Sequence, residues 1–229
     1  MTLNEKPVTG ADWQVTVTRD LLFLILGNRS GWSKEKIGVY LWPESSLSQL
    51  NQRFKNTIYR LRRALDQDVI QYTDGIYSFN RNIDYEYDVE QFEEHLSTAK
   101  DTLNVEDQVS AFQAAVQLYK GDYLPGMDGE WVIMERERLR QLFLRAGMRL
   151  AELYADTRRY ANAQTMCNRL IQEDPCLEEA YRLAMNLYAW EGNRGAIAQL
   201  YKGLRQGLLE YADADPSPQT ESLYKSLIS

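Results

Sequence analysis

The chain has 229 residues, a net charge of −7 and 44% hydrophobic content, enough to bury one large core or two modest ones. Acids outnumber bases, which excludes a protein that binds polyanions through a uniformly cationic surface. Two cysteines, Cys167 and Cys176, and one histidine, His95, give neither a disulfide framework nor metal-ligand spacing, so no metal and no cofactor is expected.

No charged-then-apolar leader opens the chain. Its longest purely apolar run, Leu21 to Leu26, is far too short to span a bilayer. With both thiols read as structural, the expected compartment is a reducing cytoplasm, away from any membrane. Charge is unevenly spread. Residues 1–88 carry eleven cations and eleven acids, so the acidic excess lies wholly in the remainder. An acidic body with a locally basic element suits steered, oriented binding to DNA.

Taken in order, residues 1–12 are polar and hold the turn formers Asn4, Pro7 and Gly10. Trp13, Val15 and Val17 alternate with polar residues, which predicts a short strand. Thr18 is placed to cap a helix from Arg19 to Leu26 that stops at Gly27-Asn28. That helix is apolar almost all round and should lie in a core. Ser33 is the expected N-cap of a second helix, Lys34 to Leu41, with Glu35 at its positive end and Ile37, Tyr40 and Leu41 inward. Gly38 weakens it. Trp42-Pro43 ends it, because the residue before proline avoids the helical region, and Glu44-Ser45-Ser46 connect onward. Trp13, Trp32 and Trp42 read as core anchors.

The next stretch, Ser46 to Leu65, organises the rest. At about 100° per residue, Leu50, Phe54, Ile58, Leu61 and Leu65 share one stripe. Gln49, Gln52, Asn56, Tyr59, Arg60 and Arg63 fall opposite, with Arg53, Lys55 and Arg62 on the flanks. No Asp or Glu occurs in the stretch. An ordinary surface helix interleaves both signs and gains from pairs three or four residues apart, so an acid-free cationic face points to phosphates and base edges.

Beyond it, Val69 to Tyr72 is strand-like, Asp74-Gly75 is a hairpin signal, and Ile76, Tyr77 and Phe79 form the return strand. Helix, helix, basic helix and hairpin in that order make a winged helix-turn-helix, with the third helix for the major groove and the hairpin as wing. Asp84 to Asp88 reads as an acidic connector. Helices are predicted at 89–100, 106–120, 128–156, 160–173, 177–191, 194–210 and 217–228. Leu150-Ala151 recurs as Leu183-Ala184, and Tyr160-x-x-Ala163 as Asn193-x-x-Ala196, an offset close to the tetratricopeptide period. The expected fold is mainly α: a winged helix-turn-helix with a small β-hairpin wing over residues 1–83, then an all-α, tetratricopeptide-like repeat domain over 84–229.

These segments resemble the Streptomyces antibiotic regulatory protein type of activator, an OmpR-like winged helix followed by a bacterial transcriptional activator domain. In the first part the resemblance rests on Arg19-Asp20-Leu21-Leu22, Leu41-Trp42-Pro43, Tyr59 through Leu65 and Gly75-Ile76-Tyr77. In the second it rests on Tyr119 through Pro125, Glu135 through Leu139, Asp174-Pro175 through Glu179, and Leu208 through Pro218. It implies a transcription factor that binds tandem sites on double-stranded DNA and contacts RNA polymerase, with the loop Pro43, Glu44, Ser45 and Ser46 touching polymerase. It also implies that the helical domain serves self-association, a homodimer included, or sensing. One departure stands out: such winged helices begin with a small antiparallel sheet, and only a dozen residues precede Trp13. Either the sheet is reduced or the chain is the tail of something longer.

The main DNA-face candidates are Arg53, Asn56, Arg60 and Arg63. Gln52 and Asn56 suit adenine and an arginine suits guanine, while Lys55, Tyr59 and Arg62 suit phosphate or packing. Ser33, Lys34, Thr73 and Arg81 are secondary phosphate candidates, for which a solvated surface role is the other reading. No phosphate-binding glycine loop or nucleophile elbow is present, so no enzyme is expected. His95 and the acids Glu130, Glu135 and Glu137 read as helix surface. Two other functions compete: a helical-repeat adaptor whose winged helix only packs, and a sensor whose helical groove takes a small effector.

Overall fold

The computed structural model describes residues 1–8, 13 and 15–229. The turn expected at Gly10 lies outside the described residues, and so does residue 14 of the strand expected over 13–17. From Thr16 onward that strand is replaced by helix: α1 runs Thr16–Leu26 with Val15 in the cap position and no side chain bonded there. Thr18 is therefore inside the helix, buried, its hydroxyl without a partner. Burial of Leu21, Leu22, Ile25 and Leu26 against the rest of the core holds this helix without a polar cap.

The chain forms two compact units, one of residues 1–88 and 122–137, the other of 89–121 and 138–229. In the first, β1 (Thr2–Leu3) pairs antiparallel with β2 (Lys6–Pro7) and with β6 (Tyr85–Glu86), making a sheet of order β2-β1-β6. Among the described residues, the sheet expected ahead of a winged helix is made of two-residue strands. Residues 84–88 are no mere connector, since β6 closes that sheet.

Next come α2 (Lys34–Leu41), α3 (Leu47–Leu65) and a second sheet of order β3-β5-β4, built from β3 (Trp32–Ser33), β4 (Ile70–Thr73) and β5 (Ile76–Phe79). Asp74 and Gly75 have φ of 51° and 85°, the doubly left-handed turn that Asp-Gly favours. Strand β3 adds a partner to the predicted hairpin, with Trp32 opposite Tyr77. Gly31 (φ 71°) makes this possible, because a β-carbon there would meet the Tyr77 carbonyl oxygen at 2.6 Å.

Residues 122–137 belong to the same unit. The Tyr87 and Tyr123 hydroxyls hydrogen-bond at 2.8 Å in the interior, where burial pushes Tyr87 well above the ordinary phenol range. Arg136 donates to the carbonyls of Tyr123 (2.7 Å), Leu124 (2.6 Å) and Met127 (2.8 Å), fixing a loop in which Leu124 and Gly126 are left-handed.

No strand follows Glu86. The remaining helices are α4 (Asp88–Asp101), α5 (Val105–Leu118), α6 (Glu130–Asp156), α7 (Tyr160–Glu173), α8 (Glu178–Trp190), α9 (Arg194–Ala212) and α10 (Pro218–Ile228). Asn104, Asn193 and Ser217 cap three of them through side-chain oxygens. Ala151, Ala163 and Ala184, singled out by the repeat, are fully buried. Gly147 brings α6 so near α7 that a β-carbon would lie 2.8 Å from Leu170. Small residues at these crossings let successive helices stack. The fold is a winged helix with small antiparallel sheets, followed by tetratricopeptide-like helices. Among the described residues no helix is long and apolar enough to cross a membrane.

Candidate nucleic-acid interface

The surface of interest is built on α3. Its start is fixed by a reciprocal box: Ser46 Oγ accepts from the Gln49 N–H (3.4 Å) and Gln49 Oε1 from the Ser46 N–H (3.0 Å). The spacing Ser-x-x-Gln carried that signal in the sequence. Leu50, Phe54 and Leu61 are buried, and Thr57 joins them by returning its hydroxyl to the Arg53 carbonyl at 2.8 Å. Leu50 fills the space above Gly38, where a β-carbon would come within 2.8 Å of both its methyls. The glycine that weakens α2 is therefore what lets α2 and α3 cross closely. Phe54 meets Tyr77 edge-on at 4.6 Å, tying α3 to the wing.

With its underside so held, α3 turns Gln52, Arg53, Lys55, Asn56, Tyr59, Arg60 and Arg63 outward, all exposed. Gln52 to Arg63 spans about 16 Å of helix at ~1.5 Å per residue. No ion pair or side-chain hydrogen bond among the described residues occupies the charged groups of Arg53, Lys55, Arg60 or Arg63. Arg62 differs: its Nε lies 3.0 Å from Asp68 Oδ1, an exposed pair that turns it toward the start of β4.

The secondary candidates are a mixed group. Ser33 caps α2, accepting from the Lys36 N–H at 3.3 Å, and is half-buried. Lys34 lies 3.7 Å from Glu35. Thr73 is exposed next to the wing turn. Arg81 serves the fold: it donates to the Leu26 carbonyl at the end of α1 (2.8 Å) and lies over the Phe79 ring, so the structure uses it in a way the phosphate reading did not foresee. In the loop after α2, Pro43 and Glu44 are exposed, Ser45 is half-buried and Ser46 is the α3 cap. Tyr72 was absent from the sequence candidates. It stands 62% exposed on the wing with its ring 4.6 Å from Tyr77, although strand alternation would group it with the buried Ile70. Among the described residues no group of three or more His, Cys, Asp or Glu is arranged to hold a metal ion.

Against this geometry, residues 87–228 match the model of the bacterial transcriptional activator domain. The chain belongs to that family. Its members of the Streptomyces antibiotic regulatory protein type have the arrangement described above, and the resemblance read from the sequence holds. The chain is 23% identical over 191 residues to the regulatory protein AfsR of Streptomyces coelicolor, covering 82% of this chain and 19% of that protein. Among solved structures it is similar to EmbR of Mycobacterium tuberculosis, determined in complex with a low-affinity phosphopeptide. That likeness has a TM-score of 0.75 at 18% identity and covers 100% of this chain and 62% of EmbR, so it speaks to the fold. The bacterial transcriptional activator domain accounts for α4 to α10, while the exposed face of α3 lies ahead of the matched residues.

Proposed function

We propose that this transcription regulator binds double-stranded DNA sequence-specifically and acts as a cytoplasmic activator that recruits RNA polymerase. The observation that carries the reading is the outward face of α3, free of acids, with Arg53, Lys55, Arg60 and Arg63 uncommitted to any partner among the described residues. Gln52 and Asn56 take adenine edges, Arg53, Arg60 and Arg63 take guanine or phosphate, and Lys55 and Tyr59 hold phosphate. Lys34, Thr73 and Ser33 flank them, and Pro43 to Ser46 is the loop for polymerase. DNA binding is assigned to residues 1–83. Self-association on tandem sites, or sensing, is assigned to 84–229. Family membership supports the activator reading.

Selection from a pool of random duplexes, followed by gel-shift titration, tests it. Enrichment of one repeated motif is expected. Retention of no sequence above background would leave the helical-repeat adaptor as the better description.

A further inference from the structure

The second unit holds a groove of about 300 Å³ between α5 and α7, floored by α6. Its floor is apolar, with Val116, Leu150 and Met166 all buried. Its rims are polar: Gln113 and Gln117 stand one turn apart on α5, and Asn162 and Thr165 face them from α7. Arg169, one turn further along α7, closes one end. No Asp or Glu lines the groove, although this half of the chain carries the protein's whole acidic excess.

The polar groups are also oriented. The buried Tyr154 hydroxyl donates to Gln113 Oε1 at 3.3 Å, which leaves the Gln113 NH₂ as a pair of unused donors. Tyr154 therefore ties the α5 rim to the floor. Asn162 stands on the opposite rim. Arg169 is held by its bond to the Tyr119 carbonyl and by the Phe143 face 4.7 Å beneath its guanidinium. The acid one turn on, Glu173, is engaged by the Tyr119 hydroxyl (2.7 Å) and by Arg140 (3.8 Å) and does not line the groove. Thr165 gives its hydrogen to the Ala161 carbonyl and presents an acceptor. The ensemble is the free Gln113 amide donors and one cation at the end, with the Thr165 acceptor on the facing rim, over an apolar bed.

We propose that this groove binds a small organic carboxylate, the acid group at Arg169 and the Gln113 amide, the hydrocarbon body over Val116, Leu150 and Met166. At the ~30 Å³ that a water molecule takes, the space admits about ten non-hydrogen atoms, the lower end of small-ligand sites. Charge selects the class: a cation without a lining acid favours an anion, and fixed amide donors match carboxylate oxygens. This site is independent of DNA binding, and its occupancy would brace α5, α6 and α7 against one another.

The test uses the full chain without DNA and two pairs of probes matched in shape: benzoate against benzamide, and hexanoate against hexanamide. Saturation-transfer NMR reads binding, and the side-chain amide signals of Gln113, Gln117 and Asn162 read location. At least one acid is expected to bind about tenfold or more tighter than its amide and to move those signals, with Arg169→Gln removing the preference. Because Arg169 also braces α7, Gln113→Leu provides a second variant on an exposed rim. It should weaken the acid about fivefold, the loss of roughly one hydrogen bond. The proposal fails if neither acid outbinds its amide, if the signals of the three amides stay still, or if both variants bind as the parent does.

Discussion

Gly207 meets Pro175 backbone to backbone: a β-carbon built on Gly207 would lie 2.7 Å from the Pro175 carbonyl oxygen and 3.0 Å from its Cβ. Gly207 sits inside α9, where glycine costs ~1 kcal/mol against alanine. The gain from removing that cost is smaller than the strain of pushing a main chain aside. Gly207→Ala should therefore destabilise the protein by about 2 kcal/mol, the usual scale for overpacking. Urea unfolding checks this, and a variant as stable as the parent would mean that α9 and the turn at Pro175 can part freely.

Arg63→Ala should lower affinity for the selected duplex about tenfold or more, within the ~1–3 kcal/mol of a good base contact, while the melting temperature stays put. The side chain is exposed and holds no partner among the described residues, so nothing in the fold depends on it. Titration at fixed salt measures the change. For the parent, log affinity should fall with log salt with a slope near −0.9 for each phosphate neutralised. A flat response would remove the phosphate-tracking surface.

Ser46→Ala removes the hydroxyl acceptor of the Gln49 N–H from the box that starts α3 and leaves the Ser46 N–H bonded to Gln49 Oε1. A cost of about 1 kcal/mol is expected, with fraying confined to the first turn of that helix. Amide exchange should quicken at Leu47 to Leu50 and remain slow at the buried Leu61, toward the other end. Uniform quickening along α3 would show that the cap does not act locally.

Arg136→Ala removes three hydrogen bonds to main-chain carbonyls at once. Those carbonyls lose a charged donor, so a loss of about 3 kcal/mol is expected from chemical denaturation. Arg136→Lys should recover only part of it, since an ammonium lacks the planar fork. Full recovery by lysine would reduce the role to charge alone.

Glu178 predicts how the protein responds to acid. Burial raises its carboxyl, but hydrogen bonds from Ser217 and Thr220, with the charge of Arg182, outweigh this and hold it below the ordinary glutamate range. The Ser217 hydroxyl is 2.6 Å away and its N–H 3.1 Å. A depressed folded pKa means that the unfolded chain takes the proton first. The stabilisation is then complete above the unfolded value of ~4.3 and lost as pH falls through the lower folded value. Melting scans should show the parent losing stability below about pH 4.5 more steeply than Glu178→Gln, which starts lower at neutral pH. Parallel curves would contradict the assignment.

What could be read in advance follows the range of the forces involved. The stripe Leu50, Phe54, Leu61 and the Asp74-Gly75 turn are local patterns, and both were visible in the sequence. So were the seven later helices, whose breaks sit at Asp174-Pro175, Gly192-Asn193 and Pro216. The strands Thr2–Leu3 and Tyr85–Glu86 were not, because two residues carry no periodicity and pair only across a long separation. The start of α1 was misplaced because a plausible cap, Thr18, was outweighed by burial of the turn around it. Of the DNA-face candidates, the exposure of Arg60 and Arg63 follows from helical phase, whereas the engagement of Arg81 with Leu26 depends on an encounter that no local pattern announces. Gln113, Tyr154 and Asn162 come from three helices, so the groove they line has no linear signature.

The polypeptide enters its first compact unit, leaves it after Asp88, and returns for residues 122–137. On the ribosome, Tyr87 must therefore wait for Tyr123, and the Tyr123 to Met127 loop for Arg136, until α4 and α5 have already been made. The amino-terminal unit therefore lacks its last segment until residue 137 has been made, later than its position in the gene suggests, and in nascent chains halted near residue 90 it should be cleaved readily by protease while in those carried past α6 it resists.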